Sequence, residues 1–165
     1  MSESIIIRGE KVDLKICTKE LWHEFDRNYV LDPMMDQGAY VYDFELSEKS
    51  YHLRADDKSR LYFAIMHGEK VIGRIYLKHM DNDKMSVDFG IALINDSLKG
   101  QGFGTEAVKL LIGYVFNELG FKTITADSVI RNARSQHILE KIGFIFTHED
   151  SDFKYYKMES KDYLK

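Results

Sequence analysis

Cysteine is almost absent from this chain. Cys17 stands alone, so no disulfide can form within the chain, and a reducing compartment is expected. Proline is equally scarce: Pro33 is the single one, and no Pro-, Gly- or Ser-rich stretch divides the 165 residues, so one domain over 1–165 is expected. Positive charge is not in excess. Lys and Arg number 23 against 27 Asp and Glu, with no basic block, which removes the electrostatic footprint of a nucleic-acid binder. No run approaches the roughly 18 apolar residues of a membrane helix. Residues 1–4, Met-Ser-Glu-Ser, carry an acid where a signal peptide has its basic region. The expectation is a cytoplasmic protein with neither nucleic-acid nor membrane partners.

What is present is a folded domain's worth of core, 44% apolar and 13% aromatic, which argues against disorder. Residues 5–7 and 12–17 run or alternate apolar around Gly9 and predict strands. Thr18, with Glu20 behind it, predicts the start of a helix to about residue 29, which Asp32-Pro33 breaks. Residues 34–46 read as irregular and aromatic, and Ser47 as the cap of a second helix to about residue 56. Three antiparallel strands follow, over 61–66, 71–80 and 84–94. After a glycine loop come a helix over 105–119, a strand over 123–130 and a short helix from Asn132 to about Ile142, stopped by Gly143. Strands near 144–148 and 153–159 close the chain. This order predicts an α+β (mixed α/β) fold with one parallel crossover inside a mixed sheet.

The glycine loop is the strongest local signal. Residues 98–107 read Leu-Lys-Gly-Gln-Gly-Phe-Gly-Thr-Glu-Ala, with Gly100, Gly102 and Gly104 at alternate positions before an apolar stripe at 107, 108, 111, 112, 115, 116 and 119. A glycine turn opening a helix presents unpaired N–H groups, and the helix dipole adds positive potential there. It reads as a phosphate cradle; a tight turn without a ligand is the plain alternative. A dinucleotide fold is disfavoured, although Asp127 ends the next expected strand. The spacing is G-x-G-x-G, Asn95-Asp96-Ser97 intervene before the glycines, and too little chain remains for a doubly wound sheet. A P-loop lacks its Gly-Lys-Ser/Thr.

Here the chain resembles the GNAT N-acetyltransferases, whose pyrophosphate-binding motif is Gln/Arg-x-x-Gly-x-Gly/Ala. Lys99 stands at the first position, departing from the consensus but keeping a cation, with Gly102 and Gly104 at the small positions. Residues 129–144, Val-Ile-Arg-Asn-Ala-Arg-Ser-Gln-His-Ile-Leu-Glu-Lys-Ile-Gly-Phe, are similar to the family's Asn-x-x-Ser/Ala to Glu-Lys-x-Gly-Phe segment. The Asn-x-x-Ser form and the Gly-Thr-Glu-Ala wording resemble the RimJ/RimL-like branch. The resemblance covers roughly residues 5 to 159. It implies a GNAT-like central mixed, mostly antiparallel sheet with one parallel splayed pair, flanked by about four helices.

It also implies acetyl transfer from acetyl-coenzyme A to a primary amine, either a protein N-terminus or a small amine, by direct attack and without a metal. Backbone groups of Ala92, Leu93 and Ile94 would hold pantetheine and polarise the acetyl carbonyl. Lys99, Gly100, Gln101, Gly102, Phe103, Gly104 and Thr105 would bind pyrophosphate, and Asn132 and Ser135 would meet the cofactor arm. Asp88, where many relatives carry Glu, would act as base, directly or through water. The tyrosine that protonates the thiolate in many relatives is replaced by Leu139, leaving Ser135 as the candidate acid. A paired strand carboxylate and a serine satisfying local backbone are the plain readings of those two. A monomer or homodimer is expected of the branch. The competing function is a non-catalytic acyl-coenzyme A-binding module that regulates a partner.

Among other groups, Cys17 reads as a small core residue and the six histidines show no metal-ligand spacing. Tyr40, Tyr42, Tyr155 and Tyr156 are candidates for an acceptor pocket or for packing.

Overall fold

A computed structural model describes residues 5–31 and 40–163. The expected break at Asp32-Pro33, the first part of the irregular 34–46 segment and the acid-bearing start at 1–4 lie outside those residues. Eight strands form a single sheet: β1 (Ile6–Arg8), β2 (Asp13–Ile16), β3 (Leu61–His67), β4 (Lys70–Asp81), β5 (Ser86–Leu93), β6 (Thr123–Val129), β7 (Ile145–Glu149) and β8 (Phe153–Glu159). Their spatial order is β1-β2-β3-β4-β5-β6-β8-β7, antiparallel at every junction except β5–β6. Among the described residues five α-helices accompany the sheet: α1 (Lys19–Asn28), α2 (Phe44–Ala55), α3 (Phe103–Gly113), α4 (Ala133–Ile142) and the single turn α5 (Ser160–Tyr163). The fold is the mixed α+β one expected.

The sheet separates two apolar layers. On one face Leu14, Phe63, Ile75, Leu77, Val87, Phe89 and Ile124 pack with Ala107, Val108 and Leu111 of α3 and Leu139 of α4. On the other, Ala64, Met66 and Val71 pack with Phe25 of α1, and Ala92 and Ile94 join them. Alternation along β5 therefore sends Asp88, Gly90 and Ala92 to the α1 face and Phe89, Ile91 and Leu93 to the α3 face.

Two helices differ from expectation. Helix α2 starts earlier because Asp43, not Ser47, is its cap: the Asp43 carboxylate accepts the Leu46 N–H at 3.0 Å. Ser47 lies inside the helix, where its hydroxyl donates to Asp26 of α1 at 2.6 Å. Helix α3 opens at Phe103 and passes into a π-helical segment, Tyr114–Leu119, before Gly120 ends it in the left-handed conformation. Leu111 and Ile112 before the change of winding and Val115 and Phe116 within it are all buried.

The α1–α2 pair is tied to the sheet by a mostly buried ion pair. Arg74 of β4 reaches Asp26 at 3.2 Å and the Trp22 carbonyl at 3.1 Å, and its guanidinium lies 3.5 Å from the Trp22 ring centroid. A second network joins the two helices directly. Buried His23 contacts Tyr42 Oη through Nδ1 at 2.7 Å and Glu48 through Nε2 at 2.8 Å.

Candidate active site

Strands β5 and β6 run side by side for only three pairs, Ser86 with Thr123, Val87 with Ile124 and Asp88 with Thr125. Beyond Asp88, β5 continues to Leu93 and β6 to Val129 without pairing to each other. The two strands splay. Which backbone groups face the gap follows from the β4–β5 register. Ile94 donates its N–H to Ile72 O at 2.9 Å, and stepping back by two residues, Ala92 opposes Arg74 and Gly90 opposes Tyr76. An antiparallel strand directs the backbone groups of alternate residues to the same neighbour, so these even-numbered residues are committed to β4. Ile91 and Leu93 point their N–H and C=O the other way, into the gap. The Ile94 carbonyl is also engaged, accepting the Val30 N–H at 2.6 Å. Of the expected backbone trio, Leu93 faces the slot. Ala92 and Ile94 do not, because the β4 ladder holds them; Ile91 takes a place that spacing alone did not reveal.

The mouth of the splay leads to two helix starts. Gly102 is the N-cap of α3, with φ +85 and no side-chain cap, so the first N–H groups of the helix, from Phe103 to Thr105, have no intrahelical acceptor. Its backbone requires glycine, and a Cβ there would meet Lys11 Nζ at 2.8 Å. Gly100 is also left-handed, at φ +80, with nothing within 4 Å of a Cβ, and a Cβ on Gly104 would meet only Ile91 Cδ1, at 3.8 Å. The cradle is open and lined by donors, which fits a phosphate. Phe103 turns its ring inward, 4.9 Å from the ring of His67. Gln101 folds back, its side-chain amide donating to Ser97 O at 3.1 Å, and Lys99 lies 3.0 Å from Asp96. The Lys99 cation is therefore held at the edge of the loop by a carboxylate neighbour.

At the end of β6, Asn132 caps α4 by accepting the Ser135 N–H at 3.1 Å. Gln136, unremarked in the sequence, donates to the Val129 and Ile130 carbonyls at 3.1 and 2.8 Å and fixes the strand end to the helix. A glutamine on a helix carries no signal for that role without the strand end beside it. Ser135 is half-buried, whereas Leu139 is buried in the core.

Asp88 sits at the closed end of the splay on the α1 face, 2.6 Å from Nδ1 of His79. Asp88 and Ser135 are thus not brought together; they belong to opposite faces of the sheet. On the Asp88 side, Tyr76 lies across Gly90 so closely that a Cβ there would meet its Cζ at 2.5 Å. Burial pushes the Tyr76 phenol up, and the charges of Tyr62 and Asp127 add to the effect. Tyr76 stacks on Tyr62 with centroids 4.8 Å apart, and Tyr62 lines a cleft of about 530 Å³ with Trp22 and Tyr51. Tyr76 did not stand out in the sequence, because its proximity to Gly90 depends on register.

The four tyrosines divide. Tyr156 is buried in the core, and Tyr155 donates to Asp150 at 2.7 Å on the exposed side of β8. Tyr40 donates to the Asp26 carbonyl at 2.6 Å, and Tyr42 meets His23. Burial pushes the Cys17 thiol up to about 12, which disarms it as a nucleophile at neutral pH. Among the described residues no group of three His, Cys, Asp or Glu is placed to hold a metal, and no helix is long and apolar enough to cross a membrane.

Comparison with known proteins agrees with this geometry. The sequence model of the family described as "Acetyltransferase (GNAT) domain" matches residues 17–145. The chain is 28% identical over 99 residues to the Probable N-acetyltransferase YjcK of Bacillus subtilis, covering 60% of this chain and 55% of that protein. It is 33% identical over 88 residues to the Uncharacterized N-acetyltransferase YjdG of the same organism, covering 53% and 51%. It thus spans about half the length of the curated relatives it matches. Among solved structures, a spermidine N-acetyltransferase SpeG chimera from Vibrio cholerae and hSSAT superposes with a TM-score of 0.79 at 19% identity, over 94% of this chain and 99% of that one. A putative acetyltransferase from T. thermophilus gives 0.78 at 21% identity, over 96% and 91%. These two likenesses are of fold.

Proposed function

The chain belongs to the GNAT acetyltransferase domain family, and on that premise we propose that it transfers an acetyl group from acetyl-coenzyme A to a primary amine by direct attack. The observation that carries the reading is the splay. A sheet that stops pairing at Asp88, while both strands run on toward helix starts, leaves backbone donors and acceptors facing a slot. Such a crevice, beyond the carboxyl ends of parallel strands, is where open α/β sheets take ligands.

Acetyl-coenzyme A supplies an acetyl thioester; the protein's part is binding, orientation and proton handling. The Ile91 and Leu93 backbone groups bind the pantetheine arm along β5. The uncapped N–H groups at the start of α3, with Gly100 to Thr105 around them, take the pyrophosphate. Asn132 and Ser135 meet the arm from α4. A backbone N–H aimed at the acyl oxygen stabilises its developing charge, an effect on the order of 10²–10³ in rate. On the opposite face, Asp88 accepts the proton of the incoming ammonium, oriented by His79. Ser135 gives its hydroxyl proton to the departing sulfur and regains one from water, while the attacking nitrogen sheds its second proton to solvent as the amide forms. Base and acid on opposite faces suit a ternary complex in which donor and acceptor enter from opposite sides.

The acceptor is a protein N-terminus or a small amine, in keeping with the RimJ/RimL-like wording of both motifs and with the spermidine acetyltransferase fold neighbour. The protein acts as a cytoplasmic monomer or homodimer. Titration calorimetry with acetyl-coenzyme A, followed by thiol release across polyamines, amino sugars, amino acids and N-terminal peptides, tests the proposal. Amine-dependent thiol release supports it. No binding at millimolar ligand overturns it, and binding with no turnover across the panel returns the regulatory module.

A further inference from the structure

We propose that Lys11, in the turn between β1 and β2, is a ligand of the pyrophosphate bound at the glycine loop. The inference rests on the coenzyme A reading above and adds a residue from a part of the chain that neither motif touches. The Lys11 ammonium donates to the Gln101 carbonyl at 3.0 Å and lies 2.8 Å from where a Cβ on Gly102 would be, directly over the start of α3. Electrostatically this is a poor place for a cation, because a helix start is already positive. Among the described residues no carboxylate lies within ion-pair distance of Lys11 Nζ. A cation held against positive potential, with only a carbonyl for company, is placed for an anion between the two.

The position is built rather than incidental. Glu106, in the first turn of α3, accepts the backbone N–H of both Lys11 and Val12 on one oxygen, at 2.7 and 2.9 Å. His67 Nδ1 lies 2.9 Å from the Lys11 carbonyl, which makes that nitrogen the donor, and its ring rests on Phe103. Two groups thus clamp the turn to the loop and carry the lysine stem across Gly102. Oε2 of Glu106 is taken up by these two backbone donors, and no ion pair joins that carboxylate to the Lys11 ammonium. Phosphate would then be gripped from two directions, by backbone N–H groups from below and by one charged donor from above.

Calorimetry on the whole protein with coenzyme A and with dephospho-coenzyme A, which lacks the 3′-phosphate, tests this without reliance on turnover. Lys11→Met is expected to weaken both ligands by about tenfold, the effect of one charge-assisted hydrogen bond, and to flatten the salt dependence of binding. Lys11→Arg should retain most of the affinity. Equal affinity in wild type and Lys11→Met overturns the proposal, and a loss confined to coenzyme A overturns the pyrophosphate assignment. If wild type binds neither ligand, the coenzyme A reading itself has failed. Unchanged thermal unfolding of Lys11→Met separates ligand contact from folding, since the side chain is exposed.

Discussion

Nδ1 of His79 lies 2.6 Å from Oδ2 of Asp88, joining β4 to β5 at the last residue where β5 still pairs with β6. His79 holds a left-handed φ of +54 at an irregularity in the β4–β5 register, a conformation that costs a non-glycine residue about 1–3 kcal/mol. A strained residue that orients a carboxylate beside a sheet opening is the arrangement expected of a positioned base.

Asp88→Asn should therefore lower kcat by about 10²–10⁴ while leaving the affinity for acetyl-coenzyme A in place. His79→Ala, which leaves the carboxylate in place but unoriented, should cost less. Steady-state kinetics with the best amine of the panel decides; an unchanged kcat in Asp88→Asn removes the base assignment.

Ser135→Ala should also reduce kcat, again by about 10²–10⁴ if the hydroxyl is the acid. The backbone N–H that Asn132 accepts is untouched by this change, so α4 should stay capped and the melting temperature unaltered. Kinetics unaffected by the substitution would leave Ser135 as a first-turn helix residue only.

Gly102→Val should abolish coenzyme A binding, since it forces a branched side chain into a left-handed backbone and against Lys11. Calorimetry reads the loss directly. Full retention of affinity would refute the loop assignment.

Asp26→Asn should destabilise the fold by about 3 kcal/mol, because Arg74 is left mostly buried with its charge uncompensated. The double variant Arg74→Met with Asp26→Leu should cost less than that single change, a comparison that urea denaturation makes quantitative. An Asp26→Asn loss within error of zero would show the pair to be dispensable.

The hydrogen bond from His23 holds the Glu48 carboxyl below its ordinary value. Glu48 therefore binds its proton less readily folded than unfolded. Its contribution to stability is present above the usual glutamate range and is lost as pH falls through and below that range. Melting temperatures between about pH 6 and about pH 3 should fall more steeply in wild type than in Glu48→Gln. Parallel slopes would argue against the contribution.

Most of the architecture was legible because the signals were local. Thr18, Asn132 and Gly143 act as helix boundaries where their types predict, and the glycine run opens α3 as its spacing implies. Asp43 and Ser47 are equally good capping side chains by type, and only the position of Asp26 shows where the Ser47 hydroxyl goes. The π-helical segment left no trace, since a stripe of apolar residues reads the same whether the winding is tight or wide. The site was legible in part, for a different reason. A motif names the residues on one loop, but Ile91 facing the gap, Tyr76 lying over Gly90 and Lys11 over Gly102 are facts of register between distant strands.

The three-pair limit of the β5–β6 ladder makes the sheet a seam, with five strands on one side and three on the other. A ligand that bonds to both lips supplies contacts the chain leaves unmade, so it acts as a removable strand. Heat resistance then becomes a function of solution composition: the melting temperature should climb with the logarithm of ligand concentration, reaching about 2.7 kcal/mol of added stability at a hundred times Kd. Emptied of ligand, the same molecule would open first along that line, and amide exchange along the short β5–β6 ladder, Ser86–Asp88 against Thr123–Thr125, would report it before any other part of the sheet.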